Sequence, residues 1–392
     1  MRIYLPVLTG FIIYWVLYAP QPLLPLFAQT FALTESEAAL LMSASFLPLM
    51  LAPLSYGYLL QAVPSVKVLR AAIFGLALSE IAFALSDTFA LLVVIRFIQG
   101  LLLPAAFTSI MTYISANTEG AQLQRLMSIY IAVSIMGSYL GRLLAGAAAS
   151  YLSWQLFIWA IAGALLLCFF ALGTLPSEGQ QKGAASEARL GSSKPQASLF
   201  LEVLQTGGYL PAYLAASCFF FIFAATTNYI PFRVKEILAQ PSELISGLIY
   251  TSYLLGIGTS LGSRKLQTFF GSQPNALIAG FITYIIALPI TLVPNIWLLF
   301  GAFCLICAAM FLLHTVAASM LNQQAKENKG IVNGLYLTFY YAGGTLGSYV
   351  PGVVYERAGW AAFVITLLAV AGVGVGMVLV YRKRTMIKAI ST

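Results

Sequence analysis

Four ionisable side chains stand inside apolar runs of this chain: Glu80, Arg96, Arg142 and His314. A charge at bilayer depth costs at least a few kcal/mol, so each is a candidate for chemistry. A carboxylate there can carry a proton or pair with a cation, two arginines can draw in an anionic or zwitterionic group, and an imidazole titrates at about pH 6.5 when unperturbed. Glu80 lies 13 residues from Lys67, ~20 Å from that end at the helical rise. Arg142 lies 17 residues from Arg125, ~25 Å along, and Arg96 stands ~10 Å inside the outer end of its run. In a hydrocarbon core ~30 Å thick the three share a level in its outer half. Two readings stay open for Glu80, a proton carrier or an ion pair with an arginine that ties two helices together. His314 is either a second proton carrier or a neutral hydrogen-bonding bridge between helices.

Polar aromatic and amide residues accompany these groups. Tyr14, Tyr18 and Gln21 follow one another at helical steps of four and three, which puts them on one stripe. Gln99, Asn228, Tyr229, Tyr336 and Tyr340 are further mid-run candidates for contacting a substrate. Aromatic side chains also form belts at membrane interfaces, which suits Trp154, Trp297 and Trp360. The mid-run tyrosines and Asn228 fit a cavity for a partly apolar molecule with a few hydrogen-bonding groups. Cys168, Cys218, Cys304 and Cys307 all sit in apolar stretches, so helix packing is their expected role. We expect no metal, no cofactor and no ATP hydrolysis, because neither a ligand cluster nor a phosphate-binding motif is present. A single His with no nucleophile and base on one helix argues against an intramembrane enzyme.

The elements that carry these residues are membrane helices. Of 392 residues, 60% are hydrophobic and 8% charged, against about a quarter charged in soluble domains. The net charge of +8 is scattered through short loops, which excludes a nucleic-acid surface. A helix needs roughly 20 apolar residues to cross a bilayer. On that ruler spans fall near 4–28, 37–60, 67–86, 89–116, 126–150, 155–175, 209–232, 244–262, 274–293, 296–320, 331–354 and 361–381. The first is expected to be a retained helix, not a cleaved signal. With the N-terminus cytoplasmic, inner segments hold fifteen Lys and Arg and outer loops only Arg233, Lys235 and Arg357, so the positive-inside rule sets both termini in the cytoplasm. A Gly-, Ser- and Gln-rich stretch interrupts the pattern. The expected organisation is therefore a six-helix bundle over 1–175, a cytoplasmic linker over 176–200, a second six-helix bundle over 201–385, and a cytoplasmic tail over 386–392.

The halves are related. A shift of 206 positions pairs Tyr130 with Tyr336, Gly137 with Gly343, Gly141 with Gly347, Gly146 with Gly352, Trp154 with Trp360 and Phe157 with Phe363. Small residues let helices approach closely, so these glycines, with Gly57 and Gly100, are candidates for packing and conformational change. Parallel repeats suit alternating access, in which one half rocks against the other around a site at their interface.

Arg96-Phe97-Ile98-Gln99-Gly100 and the run from Gly137 to Arg142 complete a family resemblance. With these residues the chain resembles the major facilitator superfamily over essentially its whole length. Arg142 in the fifth-span motif, together with YAPQPLLPLF in the first span, is similar to the acriflavine-sensitivity branch of twelve-helix bacterial drug/proton antiporters. The loop from Gly57 stands where that superfamily has a charged signature, but Gln61 replaces its Asp and Pro64 its second Gly. The resemblance implies an all-α membrane fold of twelve transmembrane helices in two pseudo-symmetric six-helix bundles. It also implies a monomeric, multi-pass inner-membrane transporter surrounded by lipid, exporting a small amphipathic molecule in exchange for protons. A facilitator or importer of an organic anion drawn to Arg96 and Arg142 is the second reading, and a receptor or scaffold without transport is the third.

Overall fold

A computed structural model of the chain describes residues 4–51, 63–175, 202–204, 209–239, 242–325 and 329–391. Gly57 and the expected linker over 176–200 lie outside the described residues. Helices dominate the described residues, with no strand among them.

In chain order the helices are α1 (Tyr4–Tyr18), α2 (Leu24–Thr30), α3 (Glu35–Leu51), α4 (Ser65–Ala84), α5 (Phe89–Asn117), α6 (Gly120–Tyr151) and α7 (Trp154–Leu172). They continue with α8 (Tyr209–Ile237), α9 (Glu243–Leu248), α10 (Tyr253–Leu261), α11 (Ser263–Phe269), α12 (Gln273–Ile290), α13 (Ile296–Gln324) and α14 (Lys329–Ser391). Among the described residues nine stretches are long and apolar enough to cross a membrane. The last of them, Gly330–Thr385, holds 56 residues and breaks at Gly359, whose φ of 74° only glycine adopts freely. It therefore supplies the last two expected spans. The second and third expected spans correspond to α3, described as far as Leu51, and to α4, which carries Lys67, Arg70 and Glu80.

Local chemistry explains the ends. Thr34 and Glu37 form a reciprocal capping box at the start of α3, Thr34 N donating to Glu37 Oε2 at 2.9 Å and Glu37 N to Thr34 Oγ1 at 3.3 Å. Asn295 Oδ1 accepts from Trp297 N and Leu298 N at 2.9 and 3.1 Å, capping α13. Between α1 and α2 the chain passes through a 3-10 turn, Gln21–Leu23, because Pro20 and Pro22 lack the N–H groups that would continue α1.

The helices form two compact units. One comprises Met1–Leu23, Leu47–Ser193 and Ser242–Leu248; the other Leu24–Phe46, Lys194–Pro241 and Ile249–Thr392. Each is built on a glycine-mediated helix pair. In the first unit a Cβ on Gly137 would lie 2.7 Å from Phe11 O and one on Gly141 would lie 3.0 Å from Trp15 Cα, so α1 and α6 touch backbone to backbone. In the second, Cβ atoms on Gly343 and Gly347 would strike Ser217 O and Phe221 O, so α8 and α14 do the same. Phe11 and Ser217, like Trp15 and Phe221, are 206 positions apart. The shift that aligns the glycines thus aligns the backbone atoms they meet.

Candidate functional site

In the first unit Arg96 is fully buried and rises from α5 to the end of α1. Its Nη1 donates to Val16 O at 2.7 Å and to Gln99 Oε1 at 2.8 Å, and its Nη2 to Leu17 O at 2.7 Å. The sequence explains the first acceptor. In a regular helix Val16 O would pair with the N–H four residues on, but that residue is Pro20. Arg96 therefore closes a carbonyl that proline leaves open. Gln99 turns its amide the other way, Nε2 donating to Glu80 Oε1 at 3.1 Å, so an amide links the cation to the carboxylate. Glu80 Oε2 is buried with no hydrogen-bond partner among the described residues.

Arg142, one turn after Ser138 on α6, forms a second centre. Its Nε donates to Gln21 Oε1 at 2.5 Å and its Nη1 to Ser138 O at 2.6 Å, while its guanidinium carbon lies 4.0 Å over the Tyr18 ring. Tyr18 stacks along Tyr14, and Tyr14 on Phe107 with centroids 4.7 Å apart. The rings of Phe107, Tyr14 and Tyr18 are only half-buried, so the column presents an aromatic face, and the guanidinium at its end is buried beneath it at 1% exposure. A planar apolar group can lie along such a face, and an anionic group is attracted to its end.

The second unit carries a different cluster. His314 on α13 is half-buried, and its Nδ1 shares a 2.7 Å hydrogen bond with Tyr336 Oη. Tyr340 lies 5.0 Å from the imidazole and stacks on Phe220 at 3.8 Å with the planes 8° apart. Asn228 and Tyr229 are sealed at 0% exposure. Tyr229 donates its hydroxyl to Ser348 O at 3.0 Å, and the same hydroxyl would collide with a Cβ on Gly352.

The structure thus brings together Glu80, Gln99 and Arg96, and separately Arg142, Gln21, Tyr18 and Tyr14. His314, Tyr336 and Tyr340 form a third group, with Asn228 and Tyr229 placed apart in the packed interior. Gly100 is buried on α5, and a Cβ on Gly146 would strike Glu243 O on α9. Phe107 and Phe220 are absent from the candidates read off the sequence. For Phe220 a signal exists, because the shift of 206 pairs it with Tyr14; Phe107 stands in an apolar run that says nothing of its face.

The fold is that of a multi-pass membrane protein. The sequence model of the Major Facilitator Superfamily matches residues 7–263 and 239–391, and the chain belongs to that superfamily. It is 26% identical over 386 residues to the inner membrane transport protein YnfM of Escherichia coli (strain K12), covering 95% of this chain and 89% of that one. It is 25% identical over 357 residues to the MFS-type transporter YybF of Bacillus subtilis (strain 168), covering 90% of this chain and 86% of that one. Among solved structures, a point mutant of the nucleoside transporter NupG superposes with a TM-score of 0.80 at 12% identity, covering 98% of this chain and 100% of that one; this likeness shows the fold. The chain is a membrane transporter, not an enzyme.

Proposed function

We propose that this transporter exports a small amphipathic molecule by alternating access, driven by protons entering in exchange. The observation that carries the reading is the column Phe107–Tyr14–Tyr18 ending on the Arg142 guanidinium. It offers half-buried aromatic stacking area directly over a guanidinium that is itself only 1% exposed, a combination that a purely hydrophilic solute would not use. In this reading Glu80 is the proton site: Gln99 bonds its Oε1, while its Oε2 is buried without a hydrogen-bond partner among the described residues and is the oxygen left to take a proton. His314, bonded to Tyr336, is the second candidate carrier. The name of YnfM supports residence in a bacterial inner membrane, and the fifteen-to-three distribution of basic residues supports cytoplasmic termini. We take the working unit to be a monomer.

Thermal-shift screening of the purified protein against dyes, antibiotics, siderophores and lysolipids identifies a ligand. Proteoliposomes loaded with that ligand and a pH-sensitive dye then test coupling. An imposed proton gradient is expected to accelerate ligand efflux and to acidify the lumen as the ligand leaves. Equal efflux with and without the gradient rejects proton coupling and favours the second reading, a facilitator or importer of an organic anion, which the Arg142 guanidinium also suits.

A further inference from the structure

Arg70 belongs to none of these groups. It stands in the second turn of α4, and its guanidinium lies 4.8 Å over the Phe169 ring of α7. It rests on the C-cap of that helix, where a Cβ on Gly173 would sit 3.2 Å from Arg70 Nη2. A helix C-terminus attracts a cation, yet here the last carbonyls are already used: Phe170 O accepts from Gly173 N, Ala171 O from Thr174 N and Leu172 O from Leu175 N, at 3.0–3.2 Å. Arg70 Nε is buried with no hydrogen-bond partner among the described residues. Arg70 as a whole is half-buried; a guanidinium has five N–H donors in a fixed fork, and an N–H shut off from water leaves a donor in want of an acceptor.

The surface beside it points to what supplies one. Lys67 is exposed one turn earlier on α4. On the other side of Arg70 the surface turns apolar, with Phe74 at 42% exposure, Leu78 at 50% and, on α7, Phe170 at 69%. Arg70, Phe74 and Leu78 follow at steps of four on one face of α4, so the stripe leads from a two-cation end along ~12 Å of apolar surface. A soluble anion would use only the first part of it. A molecule with a phosphate at one end and a hydrocarbon chain at the other uses both.

We propose that the α4–α7 face binds an anionic glycerophospholipid, its phosphate held by Arg70 and Lys67 and one acyl chain laid over Phe74, Leu78 and Phe170. The fork geometry of arginine matches a phosphate bidentately, and each basic residue near the surface adds roughly fivefold to the affinity for an anionic lipid. The site stands on the first unit alone and is independent of the direction or coupling of transport.

The test uses the detergent-purified full chain, titrated with phosphatidylglycerol, phosphatidylethanolamine or inorganic phosphate, and read by melting temperature and by native mass spectrometry. Phosphatidylglycerol is expected to raise the melting temperature and remain bound through detergent removal at roughly tenfold lower concentration than phosphatidylethanolamine. Arg70→Gln is expected to abolish that preference, and Lys67→Gln, at an exposed position that tolerates change, to weaken it about fivefold. If Arg70→Gln does not fold, Lys67→Gln and the wild-type lipid preference decide. Equal binding of the two lipids by the wild type, or an unchanged preference in Lys67→Gln and in folded Arg70→Gln, overturns the proposal. Inorganic phosphate competing as well as the lipid would show a soluble-anion site instead, and would overturn it too.

Discussion

Helices α1 and α6 of the first unit, and α8 and the first part of α14 of the second, meet through glycines that occupy matching positions of the repeat, yet the chemistry around the two contacts has diverged. The three buried acidic and basic residues among those described, Glu80, Arg96 and Arg142, all belong to the first unit. At the repeat position of Arg142 the second unit has Ser348. Its interior is held by tyrosines that donate to carbonyls on neighbouring helices: Tyr213 to Val332 O at 3.1 Å, Tyr229 to Ser348 O at 3.0 Å, Tyr250 to Thr227 O at 2.7 Å and Tyr284 to Phe219 O at 3.4 Å. Duplication kept the backbone approach, which sterics enforce at every position, and left side-chain chemistry free to differ. A neutral hydroxyl satisfies its own hydrogen bond and responds little to protons or charged solutes, whereas a buried charge cannot be indifferent to either.

The comparison can be broken first at what the units share. Leucine at Gly343 must displace the Ser217 carbonyl and leucine at Gly137 the Phe11 carbonyl. Each is expected to cost several kcal/mol, enough to remove the monodisperse peak in size-exclusion chromatography, with Gly343→Leu the worse. If either leucine variant keeps the wild-type melting temperature, the matched backbone contact is not what holds that unit together. Next comes the charge network. Arg96→Met leaves the Val16 and Leu17 carbonyls without their donor and is expected to destabilise the protein by about 3–5 kcal/mol. The smallest effects belong to the tyrosines. Tyr250→Phe removes a short, buried hydrogen bond and is expected to cost about 1–1.5 kcal/mol, Tyr284→Phe about 0.5 kcal/mol because its bond is long. Calorimetric melting of the set orders these costs, and a tyrosine variant that outranks Arg96→Met would reverse the assignment of roles.

Much of the architecture was legible in the residues. Hydropathy placed α5 and α7 within a few residues of their observed bounds, and α6 starts earlier than its apolar run because Gly120, Gln122 and Gln124 extend the helix into a polar end. The repeat was legible because glycine at 137, 141, 343 and 347 has a steric reason to be there. The sites were legible in type more than in partnership. Helical rise put Glu80 and Arg96 at one level, but only coordinates show Gln99 between them. Pro20 could have announced the open Val16 carbonyl that Arg96 fills, since the missing N–H is a matter of counting four residues. The pairing of Arg142 with Tyr18 and Gln21 was not available to counting at all. It depends on the rotation of α6 about its own axis, which Gly137 and Gly141 fix by lying against α1.

The reading of the first unit as the seat of coupling is tested most directly by comparing Glu80→Gln with His314→Gln in proteoliposomes carrying the ligand found by screening, with counterflow exchange and gradient-driven flux measured on the same preparations. Glu80→Gln is expected to preserve exchange and lose most of its gradient-driven accumulation, with His314→Gln retaining both. Full gradient-driven flux in Glu80→Gln, or its loss in His314→Gln alone, would contradict the account and move the coupling to the second unit.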